Sequence, residues 1–526
     1  MDEDWLSRLT PEQLRAVSGR LLSELKEAKD RLNQHSGNSS RPPSSAAPWA
    51  FDPRKEKNAS MAVDVAATGT QLVSPKPESE PEPIGSSSKE QVEGETTISP
   101  KSNHKQASRK PGKQHGAKGK GRMQKLMFTE VENHFPETCA ICGLPFSDAD
   151  TNAYTGWDEV DIREKIAGQI GLHLLVTRHL LHASSCSCGH VTRAEHFKAQ
   201  DDPLWENVEL GQWRLVGPRL AATIVFLAMR MRLSRARIAE FFDELFGLQL
   251  STGVIDETVR EAGRCAAPLE DALVKDIEEA TLLHVDETSW PEAGTLLWLW
   301  VFVGQHTKLY FIGSRSMEML SNVLGEKFRG DCMSDGYLAY RHLPHRLRCW
   351  AHLLRKLQGL ADSTDANVAT TGTEMLDLFV LLMHAIYAAR QAPDQTSIAL
   401  ASQYANEIAK LRSLCESHAQ DSHDKLRAVA REFLFDWDVI LRQVAEPHLP
   451  LTNNLAEQAL RHWVIARRIN HGTRSHAGTR AYALLASVID TCRIRAASAW
   501  DFITAVIASA RKGMALPSLP NILVGE

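Results

Sequence analysis

The sequence carries almost no surplus charge: 60 basic and 65 acidic side chains in 526 residues leave a net charge of -5. A nucleic-acid surface must therefore be local, because the total charge does not advertise one. No apolar run approaches the roughly 20 residues that cross a bilayer. The nearest, LAATIVFLAM, is short and flanked by arginines. The N-terminus, MDEDWLSRL, is acidic and lacks a secretory pattern, so a soluble cytoplasmic protein without membrane contact is expected. Cysteine is sparse, and four of the nine sit in two close pairs, which points to metal or free thiols before disulfides. One core rarely grows past about 250–300 residues, so several domains are expected.

Residues 1–35 carry Leu6, Leu9, Leu14, Leu21, Leu22, Leu25 and Leu32 among charges, with Thr10, Pro11 and Glu12 as a helix start. This is an amphipathic helix that packs on its own chain or self-associates as a short coiled coil. Residues 36–125 are rich in Ser, Pro, Gly and charge, the composition of a disordered linker. Its C-terminal part, from Lys101 to Lys125, is basic and free of acids, a block that either touches phosphates or stays solvated.

Within residues 126–210 stand Cys139-Ala-Ile-Cys142-Gly and Cys186-Ser-Cys188-Gly-His190. Two such pairs supply the four tetrahedral ligands of structural zinc, and four protein ligands leave no open position for catalysis. The Cys-x-Cys spacing closes a smaller chelate, so His190 is a candidate to replace one thiol; reduced structural thiols are the alternative. Residues 211–279 read as helices, with Ser234 and Ser251 or Thr252 as N-caps and Gly247 as a C-cap. Two short helices around a turn near Arg232, Arg235 and Arg237 fit a DNA-reading helix-turn-helix, and equally a helical bundle.

The stretch TLLHVDETSW reads as a buried strand that ends by presenting Asp286, with Thr288 to Pro291 marking the loop and Glu287 on the opposite face. Two hairpin strands, a helix and a strand closing at Asp335 follow, with Asp331 at that strand's entrance. HRLRCW is a further strand and AHLLRKLQGL a helix. This is the layout of a ribonuclease-H-like α/β core, spanning 280–360 and 448–510, around an all-α insertion at 361–447 and before a tail at 511–526. On the returning helix, capped by Asn453 or Asn454, residues Asn453, Glu457, Arg461 and Arg468 share one face, and Leu455, Ala459 and Trp463 lie away from it. Alone, such a stripe is a surface ion pair worth a few tenths of a kcal/mol.

Together these segments resemble the insertion-sequence-sixty-six family of bacterial DDE transposases. The resemblance rests on HVDET around Asp286, SDGYLAY around Asp335, CWAHLLRKL beyond it and NNLAEQALR around Glu457. QHSGNSSRPPSS, PGKQHGAKG, the cysteine pairs and RLSRARIAEFF with LQLSTGVI look like that family's N-terminal elements in the right order. The resemblance implies that Asp286, Asp335 and Glu457 form a triad holding two Mg²⁺ or Mn²⁺ ions for phosphodiester hydrolysis and strand transfer. It further implies double-stranded DNA as partner, a homo-oligomer on DNA, helper proteins encoded beside it, and a nucleoid-associated location. His352, Arg355 and Lys356 share a helical face and are assigned to phosphate positioning with Arg461 and Arg468, a structural salt-bridge role being the alternative for the first three. Thr452 stands where the family often has an acid, which puts the cap of that helix in doubt. Competing readings are a nuclease that cuts without joining, and a zinc-containing DNA-binding regulator or inactive relic.

Overall fold

The computed structural model describes residues 10–32, 124–146, 151–164, 170–325, 328–391 and 397–522. The linker expected over 36–125 lies outside them, except for its last two residues. Helix α1 (Pro11–Leu32) starts at a reciprocal cap, in which Thr10 Oγ1 accepts the Gln13 N–H and Gln13 Oε1 accepts the Thr10 N–H. Leu21, Leu22 and Leu25 on it are exposed.

Four strands follow, β1 (Glu130–His134), β2 (Thr151–Ile162), β3 (Leu174–Ser185) and β4 (Val191–Arg193). β3 is the hub, with β1 parallel to it and β2 and β4 antiparallel. Next come α2 (Pro218–Met229), α3 (Arg235–Phe246), α4 (Thr252–Ala266) and α5 (Glu270–Glu278). Ser234 and Ser251 cap α3 and α4 through their side chains, and Gly247 closes α3 at φ +63°. These helices pack into one apolar core. α4 is buried from Glu261 to Ala266, Asp256 is paired with Arg235 and Arg260, and Glu257 with Arg214.

The second sheet contains β5 (Leu282–Glu292), β6 (Thr295–Val303), β7 (Lys308–Gly313), β8 (Asp331–Ser334) and β9 (Arg346–Arg348), with α6 (Met317–Leu324) between β7 and β8. Its order is β7-β6-β5-β8-β9; the first three strands are antiparallel, while β8 and β9 run parallel to β5. One expectation fails here: β5 does not end at Asp286. It runs on to Glu292 and turns at Ala293 (φ +47°) and Gly294 (φ +90°), a tight hairpin that pairs Thr288, Ser289 and Trp290 with β6. Pairing with β6 keeps those three residues extended, and the ladder breaks at the two positive-φ positions.

After α7 (Trp350–Ala361) the chain leaves the sheet for α8 (Ala366–Gln391), α9 (Ser397–Gln403), α10 (Ala405–His418), α11 (Asp424–Phe435) and α12 (Trp437–Ala445). This insertion builds its own apolar core on Trp350, Leu353, Phe379, Phe433 and Ile440. α8 is long and apolar enough to cross a membrane by length and composition, although Glu374, Asp377 and His384 interrupt its sequence. Met375, Phe379, Leu382 and Ile386 on it pack into the insertion core. The chain returns through α13 (Asn454–Asn470), α14 (His476–Ile494) and α15 (Ala499–Arg511). One apolar core joins α2–α5, the second sheet and α13–α15, so the break expected near residue 279 is a joint inside a core.

Candidate functional site

The parallel register of β5 and β8 aligns Leu282 with Asp331, Leu283 with Cys332 and His284 with Met333. Carried two residues on, the same register sets Asp286 beside Asp335, just where β8 ends. Asp335 follows the last residue of β8, close enough for its charge to act on Asp286. Asp335 is held by its own turn, where its Oδ1 accepts the Tyr337 N–H at 2.8 Å. The ends of Arg348 and Glu432 close over Gly336, where a Cβ would lie 2.7 Å from Arg348 Nη2 and from Glu432 Oε1. Burial, then the neighbouring charges of Glu287, Asp335 and Glu457, push the Asp286 carboxyl well above the usual carboxylate range.

α13 brings Glu457 to the same region, and Asn453 fixes the approach. The helix begins after Asn453, but the Asn453 side chain does not cap it. Instead Nδ2 donates to the Val285 carbonyl at 2.8 Å, Oδ1 lies 3.2 Å from His284 Nδ1, and the backbone N–H points at Cys349 Sγ at 3.2 Å. A buried amide with strand groups in reach satisfies them before its own helix end. Asn453→Ala leaves the Val285 carbonyl and His284 unpaired and is expected to cost about 1–3 kcal/mol in urea unfolding; no measurable loss would show that the stitch is idle. On the far side of α13 Ala459 and Trp463 are buried as expected, but Leu455 is exposed.

Glu287 points away from Asp286 and does have partners. Arg315 Nε and Nη2 donate to its Oε1 at 2.9 and 2.6 Å, and the Tyr340 hydroxyl donates to Oε2. Arg315 is itself held between the Trp298 and Tyr337 rings, at 4.2 and 3.8 Å. The second acid of HVDET thus clamps both tyrosines of SDGYLAY, and with them the turn that carries Asp335. This role was missed at the sequence level, although the spacing of the two tyrosines was a usable signal.

His352 and Arg355 on α7 face Glu457. His352 Nδ1 is 3.8 Å and Arg355 Nη2 3.6 Å from Glu457 Oε1. Burial, with Arg355 and Lys356 nearby, lowers His352 to about 3, so its imidazole is neutral. Its Nδ1 and Glu457 Oε1 are buried without hydrogen-bond partners, and with Cys349 they form a cluster whose ligand atoms lie within 4.8 Å of one another. Asp286 and Asp335 belong to no cluster of that closeness among the described residues. Lys356 is committed elsewhere, donating to both oxygens of Glu432 on the insertion at 2.7 and 2.6 Å. Arg461 and Arg468 are exposed on α13. Asp331, at the other end of β8, is paired with Arg442.

The four cysteines of the N-terminal module converge. Cys139 and Cys188 Sγ are 3.7 Å apart and Cys142 and Cys186 Sγ 3.4 Å, too long for disulfides and close to the edges of a tetrahedron with metal–sulfur bonds of about 2.3 Å. The Cys142 N–H holds the Cys139 thiol down at about 6, and the Cys188 N–H lowers that of Cys186. His190 is not in the cluster. Its carbonyl accepts the Cys186 N–H, and Gly189 at φ +86° turns the chain so that both thiols of the short spacing face the same way.

Comparison with known proteins adds two family matches. Residues 5–74 match a family of unknown function (DUF6444). An uncharacterized protein of Sinorhizobium fredii, y4qI, is 22% identical over 306 residues, 51% of this chain and 54% of its own length. A second from the same organism, y4jO, is 27% identical over 171 residues, 32% of this chain and 50% of its own. The chain thus spans about half the length of the curated relatives it matches. The other family match covers residues 214–481, just over half the chain, and includes Asp286, Asp335 and Glu457: the protein belongs to the Transposase IS66 family.

Proposed function

We propose that the protein is a DDE transposase that binds the ends of its insertion sequence, cuts them and joins them to target DNA. In this reading the β5–β9 sheet is a ribonuclease-H-like core and Asp286, Asp335 and Glu457 are its catalytic acids. The observation that supports it is the parallel β5–β8 register, whose continuation would set Asp286 against Asp335. Hard oxygen donors suit Mg²⁺ or Mn²⁺, and the crowding of charge on Asp286 is of the kind a divalent cation relieves. When bound there, two ions would activate a water or 3′-hydroxyl and stabilise the leaving oxygen of an in-line displacement.

The chain's own residues do the positioning. Asn453 ties the Glu457 helix to the Asp286 strand, and Glu287 clamps the Asp335 turn. Neutral His352 keeps Nδ1 available as an acceptor beside Glu457. Arg355, Arg461 and Arg468 hold the DNA backbone, while Lys356 serves the link to the insertion. An oligomer on DNA and helper proteins belong to the same reading. Incubating the protein with labelled DNA carrying the element's ends, with Mg²⁺ or Mn²⁺, is expected to yield both cleaved and joined products. Cleavage without joining would leave a nuclease; binding without cleavage, even with helper proteins, would leave a DNA-binding regulator.

The four cysteines would hold structural zinc, which folds the module and takes no part in the reaction. Chelating it is expected to remove hydrogen-exchange protection from β3 and β4 while β5–β7 stay protected; unchanged protection in β3 and β4 would refute the zinc.

A further inference from the structure

Away from the acids and the four cysteines, the first sheet carries another group of metal-ligating side chains. The parallel register of β1 and β3 sets Glu132 directly against His179. His134, two residues after Glu132, emerges on the same side of the sheet. Glu132 Oε2 lies 3.4 Å from His179 Nδ1, and His134 Nε2 lies 3.0 Å from that same nitrogen. The three ligand atoms are all within 4.8 Å of one another. For metal–ligand bonds of about 2.0–2.1 Å, octahedral and tetrahedral edges are about 3.0 and 3.4 Å.

Two features make the arrangement more than a polar patch. His179 Nδ1 can carry one proton, which cannot serve both Glu132 and His134, whereas a cation accepts all three lone pairs at once. The ring orientations are also set in advance. Trp157, opposite His179 on β2, stacks on His179 at 4.5 Å with planes 11° apart, and on His134 at 5.7 Å and 10°. Such stacking sets the orientation of the His179 ring, whose buried Nε2 has no hydrogen-bond partner. All three residues line a cavity of about 700 Å³ between the sheet and α15, which Glu159, Arg219 and Lys512 also border.

We propose that Glu132, His134 and His179 bind a borderline-soft divalent transition metal, Zn²⁺ in the first instance, at a site separate from the cysteine cluster and the triad. Two imidazoles and one carboxylate favour that class over Mg²⁺ or Ca²⁺. Three protein ligands leave a coordination position open toward the cavity.

The test is zinc content of the full-length protein at one buffered free Zn²⁺ concentration, measured on the wild type and three variants. The first, His134→Gln with His179→Gln, is expected to hold one equivalent less than wild type while keeping the cysteine-bound equivalent, which also reports that the module is folded. The second, Cys142→Ser with Cys186→Ser, is expected to lose the cysteine-bound equivalent. The third, Glu132→Gln, alters a largely exposed side chain and is expected to weaken the site by at least about tenfold. The histidine difference should persist when Asp286, Asp335 and Glu457 are replaced by their amides. Equal zinc in wild type and histidine variant overturns the proposal, as does loss of both equivalents in that variant with no change in Glu132→Gln.

Discussion

Asp335→Asn is expected to lower metal-dependent strand cleavage by at least about 100-fold with DNA binding retained. That is the upper end of what is lost when only a group behind a metal ligand is removed, and a ligand should cost no less. The substitution keeps the shape of the side chain, so the Tyr337 N–H still finds Oδ1 and the turn should survive. Asp286→Asn should do the same, because β5–β8 pairing does not depend on its charge. Retained cleavage in either variant would remove the carboxylates from the mechanism. The raised Asp286 carboxyl adds a pH dependence. Without metal the folded protein holds a proton there that the unfolded chain releases above about pH 4, so the native state binds more protons than the unfolded one. The associated stability is full below that value and is lost as pH rises through the folded pKa. Mn²⁺ requires the ionised form, so its gain in melting temperature is expected to grow with pH in the wild type and not in Asp286→Asn.

Asp436→Ala is expected to produce the largest loss of stability, about 3–5 kcal/mol in the unfolding transition of the insertion and the β9 edge. Asp436 is fully buried and takes hydrogen bonds from both Arg346 and Arg348, while Arg348 also reaches Glu432. Removing the one carboxylate leaves Arg346 unpaired and Arg348 half paired in a buried site. The reverse experiment separates charge from packing: replacing both arginines and Asp436 by apolar residues of similar volume is expected to cost much less. A loss under about 1 kcal/mol in Asp436→Ala would mean that the cluster is more hydrated than its burial implies. Because Arg348 and Glu432 also crowd Gly336, next to Asp335, the alanine variant should lose cleavage activity as well.

Local residue patterns carried much of this protein. The strand sequences around Asp286 and Asp335, the caps at Ser234 and Ser251 and the helical insertion all follow from short-range periodicity and capping, which depend on neighbours in the chain. The end of β5 was misplaced because Thr288 to Pro291 look like a loop, and only their pairing with β6 keeps them extended. The roles of Asn453 and Glu287 were out of reach for a related reason. A polar side chain chooses between its own helix end and a distant strand by which one is buried beside it, and that choice is made by packing.

The metal candidates divide in the same way. The sequence by itself determined that four cysteines sit in two pairs, that carboxylates follow apolar strands, and that one helix repeats Asn453, Glu457 and Arg461 on a face. Spacing along the chain is enough for those statements. Only the tertiary structure decided that the charge of Asp335 reaches Asp286, that His190 stays outside the thiol cluster, and that Glu132, His134 and His179 meet. Each of these depends on the register between strands or on a turn of positive φ. Register is set by the burial of whole sheet faces, a property of the assembled core that no local stretch of residues contains.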